Sequence, residues 1–586
     1  MSNVSRRNFF KGAGAAALVA ATAGSLSGCG NGYESNESIK DATTQRPSTP
    51  SWLGEAPQID EAEITETLDY EVVVVGLRTG GLPALMSAAE NGARVLGIEQ
   101  MSKIAEPRED LGAVNSRYQL ESFSEFPQFE IDKMEIMEDI VRYANGFVNY
   151  DLIKLWADES GDMINWLSDI IERDGKFKMW FEGSVGTEGQ GARDKAWATG
   201  HSPQKLVDDK EITFGGTMRD YAIENGAEIR YDTMLVKCEQ DESGRVTGVI
   251  CRDGNDLHYI RVNASKGVIL ATGGYVANTE MVEARQAWNN RLKINIPVGG
   301  SCTGDGIKAA MWCGATIDPL GCAVTFNRAC CKPDEVAGSD LVGKWFWFGE
   351  QPFLKVNLQG KRFCNESGPY DYMLHSAFMQ PYHTYVDIWD SDYVEQVKQL
   401  NEVGCCRLYP FDNGAPSNMD ISAMQSKFDQ LEEAGYIQKA DTMEELAAKL
   451  NLPVEATVAT WERYNKFAEQ GKDEDYNKEP YRLTSLTHPP YYGVRTGAWF
   501  LATIDGCPIN TDMHPVNEAG EQIDGLYLVG RLLQCELSES YDWPCCRPHH
   551  DVWPSCRHAR RNGPGVNASG PPRFVRLTRG SVSHPS

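Results

Sequence analysis

The stretch EVVVVGLRTGGLPALMSAAENGARVLGIEQ, residues 71–100, decides how the rest of the chain is read. Residues 72–75 are four consecutive valines, the unbroken apolar run of a strand buried in a parallel sheet. A glycine turn follows, then an apolar run at helical spacing, then a second strand, 94–98, that ends on Glu99. This is a βαβ unit with a carboxylate at the tip of its second strand, about twenty residues beyond the glycines, where a ribose hydroxyl needs an acceptor. Gly76 suits the tight turn, Gly81 suits close packing of helix on strand, and the helix N-terminus faces a pyrophosphate. A dinucleotide site is expected. The middle glycine of the G-x-G-x-x-G pattern falls at position 78, and the residue there is Arg78. An arginine offers charge to phosphate but adds a side chain where bare backbone normally approaches the ligand.

Working outward, residues 132–174 and 206–226 have helical apolar spacing, and 228–231 reads as a strand. Segments 232–238 and 246–251 flank Asp241-Glu242-Ser243-Gly244, a hairpin signal. KGVILATGGY, 266–275, is an apolar strand running into two glycines, a strand whose C-terminal end faces a ligand. TGDG, 303–306, opens a helix over 307–313, and 358–363 reads as a turn between strands. A helix is expected over 454–470, strand patterning over 491–511, and a glycine turn at the end of 524–530. Together these predict an α/β fold: a Rossmann-like nucleotide-binding domain with an inserted α+β capping domain.

In this order, the pieces resemble the flavoprotein subunits of the fumarate reductase and succinate dehydrogenase superfamily, most of all its single-chain bacterial reductases of fumarate and urocanate type. The matching segments are VVVVGLRTGG with Glu99, GAVNS (112–116), VTGV (246–249), KGVILATGGY, TGDGIKAA (303–310), LQGKRFCNE (358–366), PPYYGV (489–494) and DGLYLVG (524–530). The resemblance implies FAD, a bilobal fold, and hydride transfer in a cleft between the FAD domain and the cap. Carried over by position, Gly76, Gly80, Gly81, Glu99 and Gln100 belong to the ADP-binding part and Val236 to an adenine-side backbone contact. Asn115 and Ser116 belong to a loop near the flavin. Ala271, Thr272 and Gly273 form the strand end beside the cofactor, and Gly530 the final glycine turn. Thr303, Asp305 and Thr503 fall in the substrate region. Arg362, in the GKRF turn, matches the proton donor of the fumarate-type enzymes, with Tyr492 as an alternative acid/base. The FAD is expected to be non-covalent, since Ala113 and Val114 stand where a covalent link would use histidine.

Departures narrow the substrate. Where the fumarate-type enzymes carry a histidine pair and a threonine, this chain reads Phe500-Leu501-Ala502-Thr503. Their carboxylate-clamping arginine near the C-terminus has no counterpart. A C4-dicarboxylate is therefore not expected, and Tyr491, Tyr492, Trp499 and Phe500 suit a larger, flatter small molecule. Three functions remain open: a reductase of an activated C=C bond, an FAD dehydrogenase or oxidase of ketosteroid type, and a flavoprotein relic without activity.

The ends carry other information. Ser5-Arg6-Arg7-Asn8-Phe9-Phe10-Lys11 reads as a twin-arginine export signal, and Leu26-Ser27-Gly28-Cys29 as a lipobox with Cys29 the lipid-attachment site. The expectation is a protein on the outer face of the bacterial cytoplasmic membrane. A lipid anchor alone holds it there, and its electron donor is a membrane-associated quinol or cytochrome on another chain. Between Pro544 and Ser586 there are seven arginines, no lysine and one acid, Asp551, in a chain of net charge −27. Reading degenerate codons for 531–559 one base later permits DSSSANY, TTGLAAGR and MTFGRHAG, a turn and a small-residue helix. The tail therefore reads as out of frame from near Gly530. The net charge argues against nucleic acid as a partner. Sixteen cysteines include no C-x-x-C pair, and adjacent pairs such as Cys330-Cys331 suit neither zinc nor an iron–sulfur cluster, so no metal is expected. The expected organisation is a signal with lipobox (1–29), a tether (30–67), a first part of the FAD-binding domain (68–295), a cap (296–488), a return segment (489–530) and an aberrant tail (531–586).

Overall fold

The structure is a computed structural model that describes residues 50–530 apart from 145, 185–196, 297–301, 339–340, 369, 401–406 and 418. The export signal, Cys29 and the tail 531–586 lie outside the described residues. The chain divides into a short unit, 1–54, and a large one, 55–586, which contains all the sheets.

In chain order, β1 (Ile64–Val75) and β2 (Val95–Ile98) come first. The short strands β3 (Leu111–Gly112), β4 (Phe177–Phe181) and β5 (Gly200–Lys205) form a small antiparallel sheet of their own. Then follow β6 (Glu228–Arg230), β7 (Thr233–Gln240), β8 (Val246–Asp253) and β9 (Tyr259–Leu270). The main sheet runs β6-β2-β1-β9-β8-β7, and a late strand pairs with the second half of β9. Pairings β6–β2, β2–β1 and β1–β9 are parallel, while β7–β8–β9 is an antiparallel meander. The valines at 72–75 are buried, as the apolar run requires. The helix Gly81–Glu90 covers them and buries nearly every one of its own side chains.

The second sheet is inserted after β9. It contains β10 (Ala323–Cys331), β11 (Lys344–Trp345), β12 (Leu354–Asn357), β13 (Tyr385–Trp389), β14 (Ile437–Ala440) and β15 (Tyr491–Thr503), in the order β11-β10-β15-β13-β12 with β14 also on β15. All its ladders are antiparallel. The return segment expected over 489–530 is therefore split. β15 is buried on both faces and completes the second sheet, and only β16 (Leu526–Leu528) rejoins β9.

Local chemistry explains the other differences. The helix expected over 132–174 is two helices, Lys133–Tyr143 and Tyr150–Ile171. Gly146 has φ +81°, and the Asn149 side chain caps the second helix by accepting from the Asp151 and Leu152 N–H groups. The helix expected over 206–226 is confined to Phe214–Glu224, because Thr213 caps it by accepting from the Gly216 N–H. The GKRF turn closes β12, with the Asn357 N–H donating to the Lys361 carbonyl at 2.8 Å, but no strand follows it directly.

Candidate functional site

The C-terminal ends of β1, β2 and β9 meet at one edge of the main sheet. The Gly76 N–H donates to the Ile98 carbonyl (2.8 Å) and the Ala271 N–H to the Val75 carbonyl (2.7 Å), so the three strand ends are tied together. Gly76 has φ +89°, and a Cβ there would lie 2.7 Å from the Ala271 oxygen. A Cβ on Gly81 would lie 1.7 Å from the Gly76 oxygen, which places the helix start hard against the turn. Both glycines are where the sequence demanded them, for steric reasons the structure makes explicit.

A cavity of about 1250 Å³ opens above these strand ends and extends to the second sheet. Its volume exceeds the ~300–1,000 Å³ of pockets for drug-sized ligands, as one holding a dinucleotide and a substrate must. On the nucleotide side it is lined by Gly76, Arg78, Gly80, Glu99 and Gln100. Glu99 is 5% exposed, and its carboxylate accepts from the Leu77 N–H (2.9 Å) and the Met101 N–H (3.1 Å), which fixes it at the tip of β2. Arg78 is exposed and is not among the residues with positive φ, so the backbone at the middle position accepts a side chain without strain. Thr233 and Leu235 line the cavity, and Val236, expected on the adenine side, does not. Val236 is the extra residue at a register irregularity between Leu235 and Lys237, where β7 departs from regular alternation.

On the opposite side the loop after β9 contributes Ala271, Thr272 and Gly273. The Thr272 hydroxyl is buried with no hydrogen-bond partner, and Gly273 has φ +77°. Thr303, Asp305 and Gly530 also line the cavity, with the Thr303 hydroxyl on the Asp305 carboxylate at 2.5 Å. Thr503 lies just behind. Its Oγ1 accepts from the Tyr275 N–H (3.0 Å), and a Cβ on Gly274 would lie 2.0 Å from it, so Thr503 clamps the loop. The Tyr275 hydroxyl donates to Asp505 (2.7 Å), which also receives Arg285 Nε (2.6 Å), Gln286 Nε2 (2.9 Å) and the Cys322 N–H (3.2 Å). Burial raises the Asp505 carboxyl against the Arg285 charge, and burial with the Asp505 charge raises the Tyr275 phenol. This junction ties the loops that frame the cavity, and its partners lie too far apart in the chain for local patterns to reveal it.

Asn115 and Ser116 are not brought to the cavity. Asn115 takes φ +63°, and the fully buried Ser116 caps the helix Arg117–Phe123, with its Oγ 2.6 Å from His201 Nε2. The two residues expected to be catalytic, Arg362 and Tyr492, do not line the cavity. Arg362 is buried away from the cavity and donates to both oxygens of Glu366 (2.8 and 2.8 Å) and of Asp473 (2.9 and 2.8 Å). Burial alone would raise the Asp473 carboxyl, but the Arg362 hydrogen bonds and charge hold it at about 2. The same two carboxylates raise the Arg362 guanidinium against its burial. An arginine held this way commits four of its five N–H groups to two buried carboxylates. Tyr492 is 4% exposed in the core of the second sheet, stacked on Trp389 at 5.6 Å and 10°.

The far wall of the cavity was only partly foreseen. Trp499 and Phe500 line it, but Tyr491 does not. Arg328 and Trp347, unmarked by any motif, stand beside them. Arg328 is 2% exposed and ion-paired with the buried Glu350.

A family model described as an FAD binding domain matches residues 71–541. Vinyl phenol reductase of Lactiplantibacillus plantarum is 25% identical over 470 residues, covering 79% of this chain and 89% of that protein. The 3-oxosteroid 1-dehydrogenase of Mycobacterium tuberculosis is 30% identical over 336 residues, 52% of this chain and 54% of its own. The open conformation of a flavocytochrome c3 fumarate reductase superposes with a TM-score of 0.58 at 21% identity, covering 86% of this chain and 82% of the other.

Proposed function

The chain belongs to the FAD-binding domain family and FAD is its cofactor; on that premise we propose that this oxidoreductase is a reductase that saturates an activated carbon–carbon double bond. The observation that carries the reading is the cavity that joins the glycine-lined strand ends to an aromatic wall on the second sheet. A relative alike over most of both chains, vinyl phenol reductase, supports this direction of reaction.

Bound in that cavity, FAD supplies two-electron hydride chemistry. The loop of Gly76, Arg78 and Gly80 and the first turn of the helix Gly81–Glu90 hold the diphosphate through N–H groups and charge. Glu99 accepts from ribose hydroxyls. Ala271, Thr272 and Gly273 bound the ring side, held in place by Thr503 and the Asp505 junction. Trp347, Trp499 and Phe500 close the opposite side against water and position a flat substrate. No covalent attachment to FAD is proposed.

A second reading, oxidation of a saturated ketone of the steroid type, is favoured by the identity to 3-oxosteroid 1-dehydrogenase and by the same apolar wall. The purified protein decides between them. Anaerobic protein reduced by dithionite and reoxidised by an unsaturated acid or enone supports the reductase. Dye reduction driven by a saturated 3-ketosteroid, with no alkene-driven reoxidation, overturns it.

We further propose that the protein works on the outer face of the bacterial cytoplasmic membrane. The twin-arginine segment and the lipobox at Cys29 support this, and a quinol or cytochrome on another chain then feeds it electrons. Cys29→Ser should move the protein from the membrane fraction to the soluble one; an unchanged distribution removes the anchor. The composition of 531–586 supports a displaced reading frame, and sequencing the gene at the Gly530 codon tests it directly.

A further inference from the structure

The wall facing the strand ends is built from β10, β15 and the short helical turn Trp347–Glu350. Pairing of β10 with β15 sets Phe326 opposite Trp499. Arg328 follows two residues on, where the β10–β15 register is irregular, and its side chain turns back over the Phe326 ring. Its guanidinium carbon is 4.1 Å from the Phe326 ring centre and 4.3 Å from that of Trp347, a cation flanked by two ring faces. Glu350 fixes it from behind. Trp347 stacks on Trp345 at 5.1 Å and 9°, and Trp345 meets Trp499 at 3.9 Å and 62°. The rings and the arginine thus form one packed array, and Arg328, Trp347 and Trp499 present its edge to the cavity beside Ile296 and Val342.

Such an array discriminates. A ring lying against it gains aromatic contact beyond its buried area, which a short aliphatic acid cannot gain. A guanidinium held flat presents its planar fork to an oxygen acceptor. Resting on the reductase reading, we propose that this array is the substrate slot. Its substrates are aryl alkenes whose double bond is conjugated to a carbonyl or carboxylate, the ring against Trp347 and Trp499 and the oxygen toward Arg328. In the reaction the C=C π bond breaks and two C–H bonds form. Hydride adds to the carbon distal to the carbonyl and a solvent-derived proton to the proximal one, and both electrons come from reduced FAD.

The test uses the FAD-loaded protein, reduced anaerobically with dithionite and mixed with 4-hydroxycinnamate, its methyl ester, 4-vinylphenol, acrylate or fumarate. Cinnamate and its ester should exceed acrylate and fumarate in kcat/KM by ~tenfold or more, the ratio that about 1.4 kcal/mol of ring contact gives. Acid against ester distinguishes a carboxylate from a carbonyl as the group at Arg328. Trp347, half-buried at the wall, allows a mild variant: Trp347→Leu should raise KM for cinnamate severalfold more than it raises KM for acrylate, and equal changes would overturn the ring contact. In thermal shift, 3-phenylpropanoate should stabilise the wild-type protein and propanoate should not, a readout independent of turnover. Acrylate or fumarate matching cinnamate overturns the slot while leaving the reductase reading intact. 4-Vinylphenol matching cinnamate overturns the role of Arg328. Reoxidation by none of the five alkenes overturns the reductase reading itself.

Discussion

Arg362 shows how one residue can carry a motif and yet serve the fold. Its four hydrogen bonds satisfy two buried carboxylates, one of them 111 residues away in sequence. Glu366 keeps a second cation, Lys478, at 3.6 Å, whereas Arg362 is the cation that holds Asp473 low. Removing one partner of a buried ion pair costs ~3–5 kcal/mol, because the other charge is stranded. Arg362→Ala should therefore lower the melting temperature steeply, while the FAD-loaded protein that stays folded is reoxidised by alkene at near the wild-type rate. A loss of rate with an unchanged melting temperature would return Arg362 to the chemistry. Because the folded pKa of Asp473 is depressed from 3.8 to about 2, its share of stability is complete above the ordinary carboxylate range and is lost as the pH falls toward about 2. At position 78 the sequence reading expects crowding to outweigh charge, so that a glycine there would bind FAD more tightly. The exposed side chain and ordinary backbone leave charge as the effect that acts. Arg78→Ala should weaken FAD binding severalfold, more at low ionic strength than at high. Unchanged affinity across salt would place the arginine outside the diphosphate's field.

The element that the sequence showed best is the βαβ unit, and the reason is physical. Its constraints are local: four valines, a turn at positive φ and a helix start pressed on Gly76. Gly81→Ala places a carbon 1.7 Å from the Gly76 oxygen, so the helix must move off the strand ends. The variant should fold with little or no FAD, read as the ratio of absorbance at the flavin band to that of the protein. Full occupancy would mean that the turn yields more readily than its packing implies. The slot on the second sheet was hidden because Arg328 meets Trp347 and Glu350 only once β10 has paired with β15, and no periodicity within 323–331 announces that. Trp499 and Phe500 were visible only as aromatics and gained meaning from their place on the wall. The small sheet β3-β5-β4 carries a pH-sensitive element that no motif marked. His201 on β5 is fully buried, with Nδ1 2.8 Å from the Thr199 carbonyl and Nε2 on Ser116. Burial lowers its pKa from 6.5 to about 4, although the backbone hydrogen bonds favour the charged form. The folded protein keeps this imidazole neutral while the unfolded chain protonates it, so stability falls as the pH drops from 6.5 toward 4. The shift amounts to about 3 kcal/mol at ~1.4 kcal/mol per unit. Melting temperatures across this interval should fall for the wild type and fall less for His201→Gln. Parallel slopes would assign the acid sensitivity to other groups.

At the scale of the whole molecule, the cavity is a joint between two sheets. One wall is the C-terminal edge of β1, β2 and β9, and the other is the face of β10 and β15. The cap is inserted between β9 and β16, so the chain leaves the main sheet after Leu270 and returns at Leu526. The cavity is lined from both sides of the insertion, by Glu99 before it and Gly530 after it, so a dinucleotide held there would bridge the two. Binding energy of that kind appears as stability, since a ligand bound only by the folded state adds about 2.7 kcal/mol at one hundred times its Kd. Protein stripped of FAD should melt at a lower temperature than the loaded form, and added FAD should restore the difference in a concentration-dependent way. The same experiment tests the expectation that FAD is held without a covalent link, because a non-covalent flavin leaves with denaturation. After heat or acid precipitation the yellow colour should be in the supernatant as free FAD. Flavin retained on the precipitated polypeptide would establish a covalent bond and require a nucleophilic side chain at the cavity wall, with Cys302 the first to examine, since its sulfur would lie 3.3 Å from a Cβ placed on Gly273.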